Sequence, residues 1–273
     1  MQNILITGCS TGIGYQTALT LKENNYKVYA TARKEEDVLM LKNLGFDSYL
    51  LDVRKKDDIK RVLEIIIEND KKLDAVFNNA GFGQPGAVED VSVEVLKEQF
   101  ETNLFGLHEV TLQCLKIFRK QGYGKIIQHS SVLGIIALKF RGAYNSSKYA
   151  IEGLTDTLRQ ELLNTNIWAT VVNTGPVTSE FRNNAMVKFK KNIDIKNSVH
   201  AKEYDEKLND RLETSQDETP FNLPATSVAN VVLKIMQTQK PKGRYYVTKA
   251  THILGFFKRI LTTSILDKLL SKI

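Results

Sequence analysis

The chain has 273 residues, of which 42% are hydrophobic and 25% charged, and these ordinary values exclude a disordered or fibrous protein. Its 38 Lys and Arg exceed its 31 Asp and Glu by seven, a mild and dispersed excess that does not favour nucleic-acid binding. The two cysteines, Cys9 and Cys114, are too few for a disulfide framework or a paired metal site, so we expect no metal and a reducing, cytoplasmic location. We also expect no secretion signal, and no apolar stretch reaches the roughly 18–20 residues of a membrane-spanning helix.

Short apolar runs alternate along the chain with longer segments of helical spacing. This alternation predicts an α/β fold with a doubly wound parallel sheet covered by helices on both faces. No linker divides the chain, so we expect a single domain over 1–273. The predicted strands are 3–7, 27–31, 48–52, 73–78, 125–130, 167–173 and 244–248, and the predicted helices are 13–24, 34–44, 56–70, 92–121, 143–164 and 225–239.

Two segments depart from the alternation. Residues 176–224 form a long polar insertion without a strand pattern, and connections of this length are usually functional, so we expect a loop over the substrate. Residues 252–273 place apolar pairs opposite basic residues at near-helical spacing, which predicts a C-terminal amphipathic helix. We expect this tail to pack over an apolar cleft, with weak contact to a membrane surface as the alternative.

A glycine-rich turn follows the first strand and opens a helix, with the sequence T-G-C-S-T-G-I-G from Thr7 to Gly14. Glycines there let the backbone approach a pyrophosphate, whose charge the helix N-terminus stabilises. A turn that serves packing alone is one alternative. A serine hydrolase is another, because Ser10 lies in G-x-S-x-G; it would need His108, His129, His200 or His252. The phosphate-binding interpretation assigns cofactor contacts to Gly8, Ser10, Thr11, Gly12, Ile13 and Gly14.

Three further motifs lie downstream. Asn78-Asn79-Ala80-Gly81 closes the fourth strand, Tyr144 and Lys148 form Y-x-x-x-K on a helix, and Ser131 precedes Tyr144 by thirteen residues. Together with the glycine-rich turn, they resemble the short-chain dehydrogenase/reductase family from residue 3 to about 181. The resemblance implies a Rossmann-type fold, hydride transfer between a nicotinamide cofactor and a carbonyl or alcohol, and a homodimer or homotetramer formed through helices 92–121 and 143–164.

The chemistry of the Y-x-x-x-K pair supports this assignment. Residues four apart on a helix share one face, and a phenol of pKa about 10 transfers protons poorly near neutral pH. We expect the ammonium of Lys148 to lower the pKa of Tyr144. The resemblance makes Tyr144 the acid/base, Lys148 a partner of the nicotinamide ribose, and Asn103 the support of a water-linked proton path. It makes Ser131 a donor to the substrate oxygen, with Ser130 as the alternative that the thirteen-residue interval disfavours.

The choice of cofactor depends on the end of the second strand, where an acid favours NAD and an arginine favours NADP. Arg33 stands there and no acid does, so we expect NADP(H). Thr174 and Ser179 replace the ends of the family's P-G-x-V-x-T motif. Further cofactor contacts implied by the resemblance are those of Asp52, Val53, Asn79, Ala80, Gly81, Tyr144, Lys148, Gly175, Val177 and Ser179.

Residues 81–89 and 175–177 also resemble, more loosely, the 17β-hydroxysteroid and retinol dehydrogenases. This likeness implies a small hydrophobic carbonyl or alcohol as substrate. A nucleotide-binding regulator without turnover stays open as a third alternative. We expect His129, Cys9 and Trp168 to be packing residues. Candidate pocket residues are Leu133, Ile135, Ile136, Leu138, Phe140, Phe181 and Met186.

Overall fold

The computed structural model describes residues 1–206 and 219–272. Strands and helices alternate over most of this length, as the sequence predicts. In chain order they are β1 Asn3–Ile6, α1 Gly12–Glu23, β2 Lys27–Ala32, α2 Glu35–Asn43, β3 Asp47–Leu50, α3 Lys56–Asp70, β4 Ala75–Asn78, α4 Val93–Phe100, α5 Leu107–Gln121, β5 Tyr123–Ser131, α6 Gly142–Glu161, β6 Asn166–Thr174, β7 Val177–Thr178, α7 Phe181–Asn192, β8 Leu223–Pro224, α8 Thr226–Gln237, β9 Arg244–Tyr246, α9 Lys249–Ile260 and α10 Thr263–Leu270.

Seven of the strands form one sheet in the order β3-β2-β1-β4-β5-β6-β9. Every pair in this sheet is parallel, which confirms the doubly wound fold as a single domain. Strand order reverses at β1, with β2 and β3 on one side and β4, β5 and β6 on the other. Ligands of such sheets bind at the carboxyl ends of the strands beside this reversal.

Both faces of the sheet are buried under helices. Ile4 and Ile6 of β1 pack with α1 and α8 on one face, whereas Leu5 packs with α3 and α5 on the other. Successive strand residues point to opposite faces, so an apolar run such as this one fits a strand covered on both sides. Cys9 and Cys114 are buried free thiols, whereas Trp168 is only half-buried, contrary to its prediction as core.

Three predicted elements differ in detail from the structure. The predicted helix 92–121 is divided by a π-helical segment, Glu101–Gly106. The predicted C-terminal helix is two helices, α9 and α10, separated by Leu261 and Thr262, which both have extended backbone. The last strand ends at Tyr246, because Thr248 caps α9 by accepting a hydrogen bond from the Thr251 N–H.

The insertion 176–224 also contains regular structure, contrary to the expectation of no strand. β7 and β8 form a short parallel pair, α7 lies between them, and residues 201–206 are helical. Residues 207–218 of the predicted loop lie outside the described residues. Among the described helices, none is long and apolar enough to span a membrane.

Candidate active site

The predicted site residues meet at the carboxyl ends of β1, β4, β5 and β6. Ser131 ends β5 beside Thr174 at the end of β6, and the turn after β1 lies next to Ala80 after β4. The helix α6 then brings Tyr144 and Lys148 to the same edge. Parallel strands therefore gather residues that are far apart in sequence at one side of the sheet.

The turn after β1 depends on its glycines. Gly8 and Gly12 have φ angles of +72° and +60°, which side-chain-bearing residues rarely adopt. A Cβ on Gly14 would lie 2.2 Å from the Gly8 carbonyl oxygen and 2.5 Å from Asn79 Nδ2. Thr11 caps α1 without a side-chain hydrogen bond, so that hydroxyl leaves the first N–H groups of the helix available. The turn fits the diphosphate of a dinucleotide, whose anion such a helix N-terminus stabilises.

The Asn79 side chain supports this turn through hydrogen bonds to its backbone. Its Nδ2 donates to the carbonyl oxygens of Thr7 at 3.0 Å and Gly8 at 2.9 Å, while the Thr7 hydroxyl accepts from the backbone N–H of Asn79 and of Ala80. Because the Asn79 amide is already used on the backbone, the structure gives it a supporting position behind the predicted cofactor contacts. The sequence could not show this orientation.

Tyr144, Ser131 and Lys148 form a cluster beside the turn. The Tyr144 phenol lies close enough to the Ser131 side chain for that side chain to oppose the rise of its pKa, and the Ser131 hydroxyl accepts from the Leu133 N–H at 3.1 Å. Lys148 is 5% exposed; its Nζ lies 5.6 Å from the centroid of the Tyr144 ring and donates to the His129 carbonyl oxygen at 2.7 Å. The structure thus brings a phenol, a hydroxyl and an ammonium together.

The electrostatics of this cluster correct one expectation. Burial raises the pKa of Tyr144 above its ordinary value, against an opposing effect of the Ser131 hydrogen bond. Burial lowers the pKa of Lys148 to about 8, against the opposing charge of Glu152. The predicted lowering of the Tyr144 pKa by Lys148 is therefore wrong for this arrangement, because desolvation is the largest cause and the Lys148 ammonium donates to the His129 carbonyl oxygen.

Asn103 lies in the π-helical segment, a type of distortion that is frequent at functional sites. Its Oδ1 accepts from the Phe82 N–H at 3.0 Å, and its Nδ2 donates to the Phe82 carbonyl at 2.9 Å and to Ser147 Oγ at 3.3 Å. The buried amide therefore joins the loop after β4 to the residue that precedes Lys148.

His129 is the residue that the sequence interpretation underestimated. Its ring nitrogens lie 3.1 Å from Asn79 Oδ1 and 3.2 Å from Thr174 Oγ1. Because Asn79 uses Nδ2 as a donor, its Oδ1 accepts, and the proton of His129 is assigned to Nδ1. Burial, and then the charge of Lys148, lower the pKa of His129 to about 3, so the ring is neutral. The sequence did indicate that His129 lies near the site, because residues 129 and 131 are two apart and therefore share one side of β5.

The remaining predicted cofactor residues border the same edge. Arg33 is exposed directly after β2, which pairs with β1. Asp52 accepts from Arg54 at 2.6 Å, and this bond and the other Arg54 contacts hold its pKa below the usual range. A Cβ on Gly12 would lie 3.2 Å from Ser179 Cβ, and one on Gly175 would lie 2.1 Å from Thr248 Oγ1. The loop after β6 therefore closes over the glycine-rich turn. Val53 is buried, and Val177 packs against the core.

Most of the predicted pocket residues form one apolar wall. Leu133 and Ile136 are buried, and Ile135, Leu138 and Tyr144 pack against the same cluster. The Phe181 ring of α7 lies 5.2 Å from the Tyr144 ring. Phe140 does not join the wall, because it packs on Tyr204 in a separate cluster, and Met186 is half-buried on α7. The tail contributes Leu254, Phe257, Leu261, Leu266 and Leu270 to the wall.

The comparisons with known proteins agree with this geometry. Residues 2–188 match the short chain dehydrogenase family. The chain is 34% identical over 270 residues to the uncharacterized oxidoreductase YbbO of Escherichia coli strain K12, covering 98% of this chain and 94% of that protein.

The chain belongs to the short-chain dehydrogenase family.

Other known proteins and solved structures are similar over part or all of the chain. The 3-ketodihydrosphingosine reductase of Bacteroides thetaiotaomicron is 35% identical over 184 residues, which are 67% of this chain and 66% of that protein. A serine dehydrogenase complexed with NADP+ has a TM-score of 0.77 at 22% identity, covering 92% and 96% of the two chains. A family member from Burkholderia phymatum in complex with NAD has a TM-score of 0.77 at 21% identity, covering 98% and 95%. These structures support the fold.

The serine hydrolase alternative has no support in this short-chain dehydrogenase. His129 is hydrogen-bonded to Asn79 and Thr174, His200 to Glu89, and His252 to the Tyr246 carbonyl. The fourth histidine, His108, is exposed on α5, and no hydrogen bond joins Ser10 to a histidine within the part of the chain that the structure describes. We drop this hypothesis.

Proposed function

We propose that this chain is an NADP(H)-dependent oxidoreductase that interconverts an apolar ketone or aldehyde and its alcohol. The observation that carries the proposal is the convergence of Tyr144, Ser131 and Lys148 beside the glycine-rich turn. A reductase needs an acid, a donor to the developing oxyanion and a dinucleotide site next to each other. A regulator without turnover needs only the last of these, so the cluster favours an enzyme.

In the direction of carbonyl reduction, Tyr144, Ser131 and Lys148 each have a separate role. The nicotinamide, when bound, supplies the hydride. Tyr144, whose pKa burial raises, is protonated at neutral pH and donates its proton to the substrate oxygen. Ser131 donates a hydrogen bond to the same oxygen as negative charge develops there. Lys148, with a pKa of about 8, is mostly charged at pH 7 and favours the phenolate that remains.

The preference for NADP(H) is part of the proposal and is supported by Arg33. The guanidinium is exposed directly after β2, and no acid stands at the end of that strand. Asp52, the nearby carboxylate, is occupied by Arg54. An arginine at this place pairs with a 2′-phosphate, whereas the NAD choice needs an acceptor for the ribose hydroxyl. Solved structures of similar fold hold either NADP+ or NAD, so the fold alone leaves both cofactors open.

The class of substrate follows from the apolar wall beside Tyr144. Tyr144 packs against an apolar cluster that includes Leu133, Ile135 and the tail side chains, and such surroundings suit an alkyl chain or ring better than a charged substrate. The name of the Bacteroides relative, a 3-ketodihydrosphingosine reductase, is that of an enzyme for a long-chain ketone. We extend this chemistry to an apolar ketone or aldehyde, with 176–224 and 252–273 as the covering segments. The buried free thiols of Cys9 and Cys114 support a reducing, cytoplasmic location.

The test is the variant Tyr144→Phe, with Tyr123→Phe as the matched control on an exposed tyrosine. Loss of a general acid typically lowers turnover by about 100-fold or more. We expect this fall for Tyr144→Phe, measured by NADPH absorbance on a panel of apolar ketones and aldehydes, while NADPH binding stays within about twofold of the wild type because the phosphate-binding turn is untouched. Full turnover in Tyr144→Phe would overturn the mechanism, and cofactor binding without turnover on the whole panel would favour the regulator.

The cofactor preference is tested in the same assay with Arg33→Asp, and Lys42→Asp on the end of α2 is the control. Loss of a charge-assisted contact, and repulsion in its place, should weaken NADPH by about 10–100-fold and NADH by much less. Equal losses for the two cofactors would reject the role of Arg33.

A further inference from the structure

The two C-terminal helices, α9 and α10, have apolar side chains that pack on the domain and others that are exposed to solvent. Leu254 and Phe257 of α9, Leu261 directly after α9, and Leu266 and Leu270 of α10 are packed into the wall beside Tyr144. A second set of apolar side chains faces solvent on the same helices. We call this set the outer stripe: Ile253, Phe256, Ile260, Ile265 and Leu269, with exposed fractions of 42%, 59%, 57%, 54% and 36%.

The outer stripe is continuous along each helix. Ile253, Phe256 and Ile260 are spaced by three and four residues, as are the packed residues Leu254, Phe257 and Leu261, so each set lies on one side of α9. The two sets are displaced by one residue, or about 100° around the axis. The packed set already attaches α9 to the domain, whereas the exposed set makes no contact with the described residues that explains its apolar character.

Cations border the outer stripe. Lys249 precedes Ile253 by four residues, Arg259 follows Phe256 by three, and Lys268 follows Ile265 by three, so each lies beside an apolar side chain of the stripe. Residues 249–272 hold five Lys or Arg and one acid, Asp267, a net charge of +4 out of +7 for the chain. These cations are exposed and form no ion pair with any residue that the structure describes.

The combination of an apolar stripe and bordering cations indicates which kind of partner binds there. A second copy docked on the stripe through its own stripe would bring together two tails that each carry a net charge of +4, which is repulsive. An apolar stripe bordered by cations fits the interface of an anionic bilayer, where the side chains enter the acyl boundary and the cations meet lipid headgroups. We propose that the outer stripe docks this protein reversibly on an anionic lipid surface.

Docking at the outer stripe would bring the proposed active site close to substrates dissolved in lipid. Only this benefit rests on the proposed function; the docking itself does not. The packed residues of α9 and α10 form part of the wall beside Tyr144, and the outer stripe lies on other sides of the same helices. The wall would then lie within about one helix diameter, roughly 10 Å, of the lipid phase. An apolar ketone or alcohol dissolved in lipid would reach the site with little passage through water.

The experiment is flotation of the full chain with vesicles of equal parts phosphatidylcholine and phosphatidylglycerol, compared with phosphatidylcholine alone. We expect the wild type to float with the mixed vesicles, more weakly with the neutral ones, and less in high salt. Phe256→Ser combined with Ile260→Ser should abolish flotation. The control, Leu39→Ser with Leu163→Ser, removes two equally exposed apolar side chains elsewhere and should float like the wild type.

The charge requirement has its own pair of variants. Arg259→Gln with Lys268→Gln should weaken binding to mixed vesicles by about one order of magnitude or more, at roughly fivefold per cation. Lys42→Gln with Lys120→Gln, two exposed cations on α2 and α5, should change it little. All these positions are exposed, and circular dichroism with thermal unfolding checks that each variant is folded.

Three results would overturn the proposal. The wild type could fail to float with mixed vesicles, the Phe256→Ser and Ile260→Ser variant could float unchanged, or light scattering could show that this variant loses an oligomer, which would make a second copy the occupant. NADPH oxidation with a small water-soluble ketone, measured without vesicles, separates this inference from the proposed function. Flotation without reductase activity would reject the function and keep the docking surface, whereas activity without flotation would do the reverse.

Discussion

The His129 imidazole joins the glycine-rich turn, through Asn79, to Thr174 at the end of β6. These contacts use the neutral ring, and burial with the nearby Lys148 charge lowers the pKa of His129 to about 3. In the unfolded chain the same imidazole takes a proton near pH 6.5. Between these two pKa values the unfolded state binds more protons than the folded state. Stability contributed by His129 is therefore complete above about pH 6.5 and is lost as the pH falls toward 3.

We predict that acid destabilises the wild type more than the variant His129→Gln. The full shift would cost about 2 kcal/mol between about pH 7.5 and pH 5, and because the ring is only half-buried we expect about 1 kcal/mol. Urea unfolding at the two pH values measures the difference. His108→Gln, on an exposed histidine of α5, is the control and should follow the wild type. Parallel pH profiles for the wild type and His129→Gln would contradict the neutral, bridging role.

The sequence predicted the positions of Tyr144, Lys148 and Ser131 well, because the helical spacing of the first two and the strand end of the third fix their place. It did not predict the protonation of Tyr144. The direction of that pKa depends on how deeply the wall beside Tyr144 is covered, and α9 and α10 provide this cover from more than a hundred residues later in the chain. Likewise, the role of His129 depends on contacts with β4 and β6, which spacing within β5 cannot show.

The start of α1 and the interior of α6 each contain a glycine, with opposite surroundings. A Cβ on Gly14 would lie 2.2 Å from the Gly8 carbonyl oxygen, closer than atoms can approach, so the turn must shift. Around Gly153 a Cβ would meet nothing within 4 Å. Alanine at Gly153 therefore tests the general preference of helices for alanine over glycine, whereas alanine at Gly14 tests the requirement of the turn for glycine.

We predict that Gly14→Ala destabilises the fold by about 1–3 kcal/mol, as overpacking does, and weakens NADPH binding more than it lowers stability. Gly153→Ala should instead stabilise the fold by about 0.5–1 kcal/mol with no change in cofactor binding. Thermal unfolding and fluorescence titration with NADPH measure the two effects. Normal NADPH affinity in a folded Gly14→Ala variant would show that the turn does not hold the diphosphate.

The boundaries of the helices illustrate a second limit of sequence interpretation. The pattern of 252–273 predicts one amphipathic helix, and no proline or glycine marks its division at Leu261 and Thr262. The break instead allows Leu266 and Leu270 of α10 to reach the same cluster as Leu254 and Phe257 of α9. Burial of these side chains is a tertiary effect and outweighs the local preference for one helix. The alternation that produces the parallel sheet is local, and the sequence therefore predicted it.

The family resemblance also predicts that several copies of the chain assemble into an oligomer. The π-helical segment, α5 and α6 pack together through Leu104, Leu107 and Ile151. Their outer sides expose Phe105, Leu112 and Leu154 at 53%, 41% and 42%. Exposed apolar side chains on three elements that pack together fit a protein–protein contact, and we therefore predict a homodimer or homotetramer formed through these helices. The outer stripe belongs to α9 and α10 and is not part of this surface.

We predict that light scattering gives a mass above that of one chain, and that Phe105→Glu combined with Leu154→Glu reduces it to the monomer. Two carboxylates in a closed apolar interface would be buried without partners, at a cost of several kcal/mol, which is enough to separate the subunits at micromolar concentration. Leu39→Glu, on an exposed leucine of α2, is the control and should leave the mass unchanged. The outer-stripe variant Phe256→Ser with Ile260→Ser should also keep the wild-type mass. A wild type that is monomeric at high concentration would contradict the assignment of α5 and α6 as an interface, whereas dissociation by the outer-stripe variant alone would place the contact on α9 and α10.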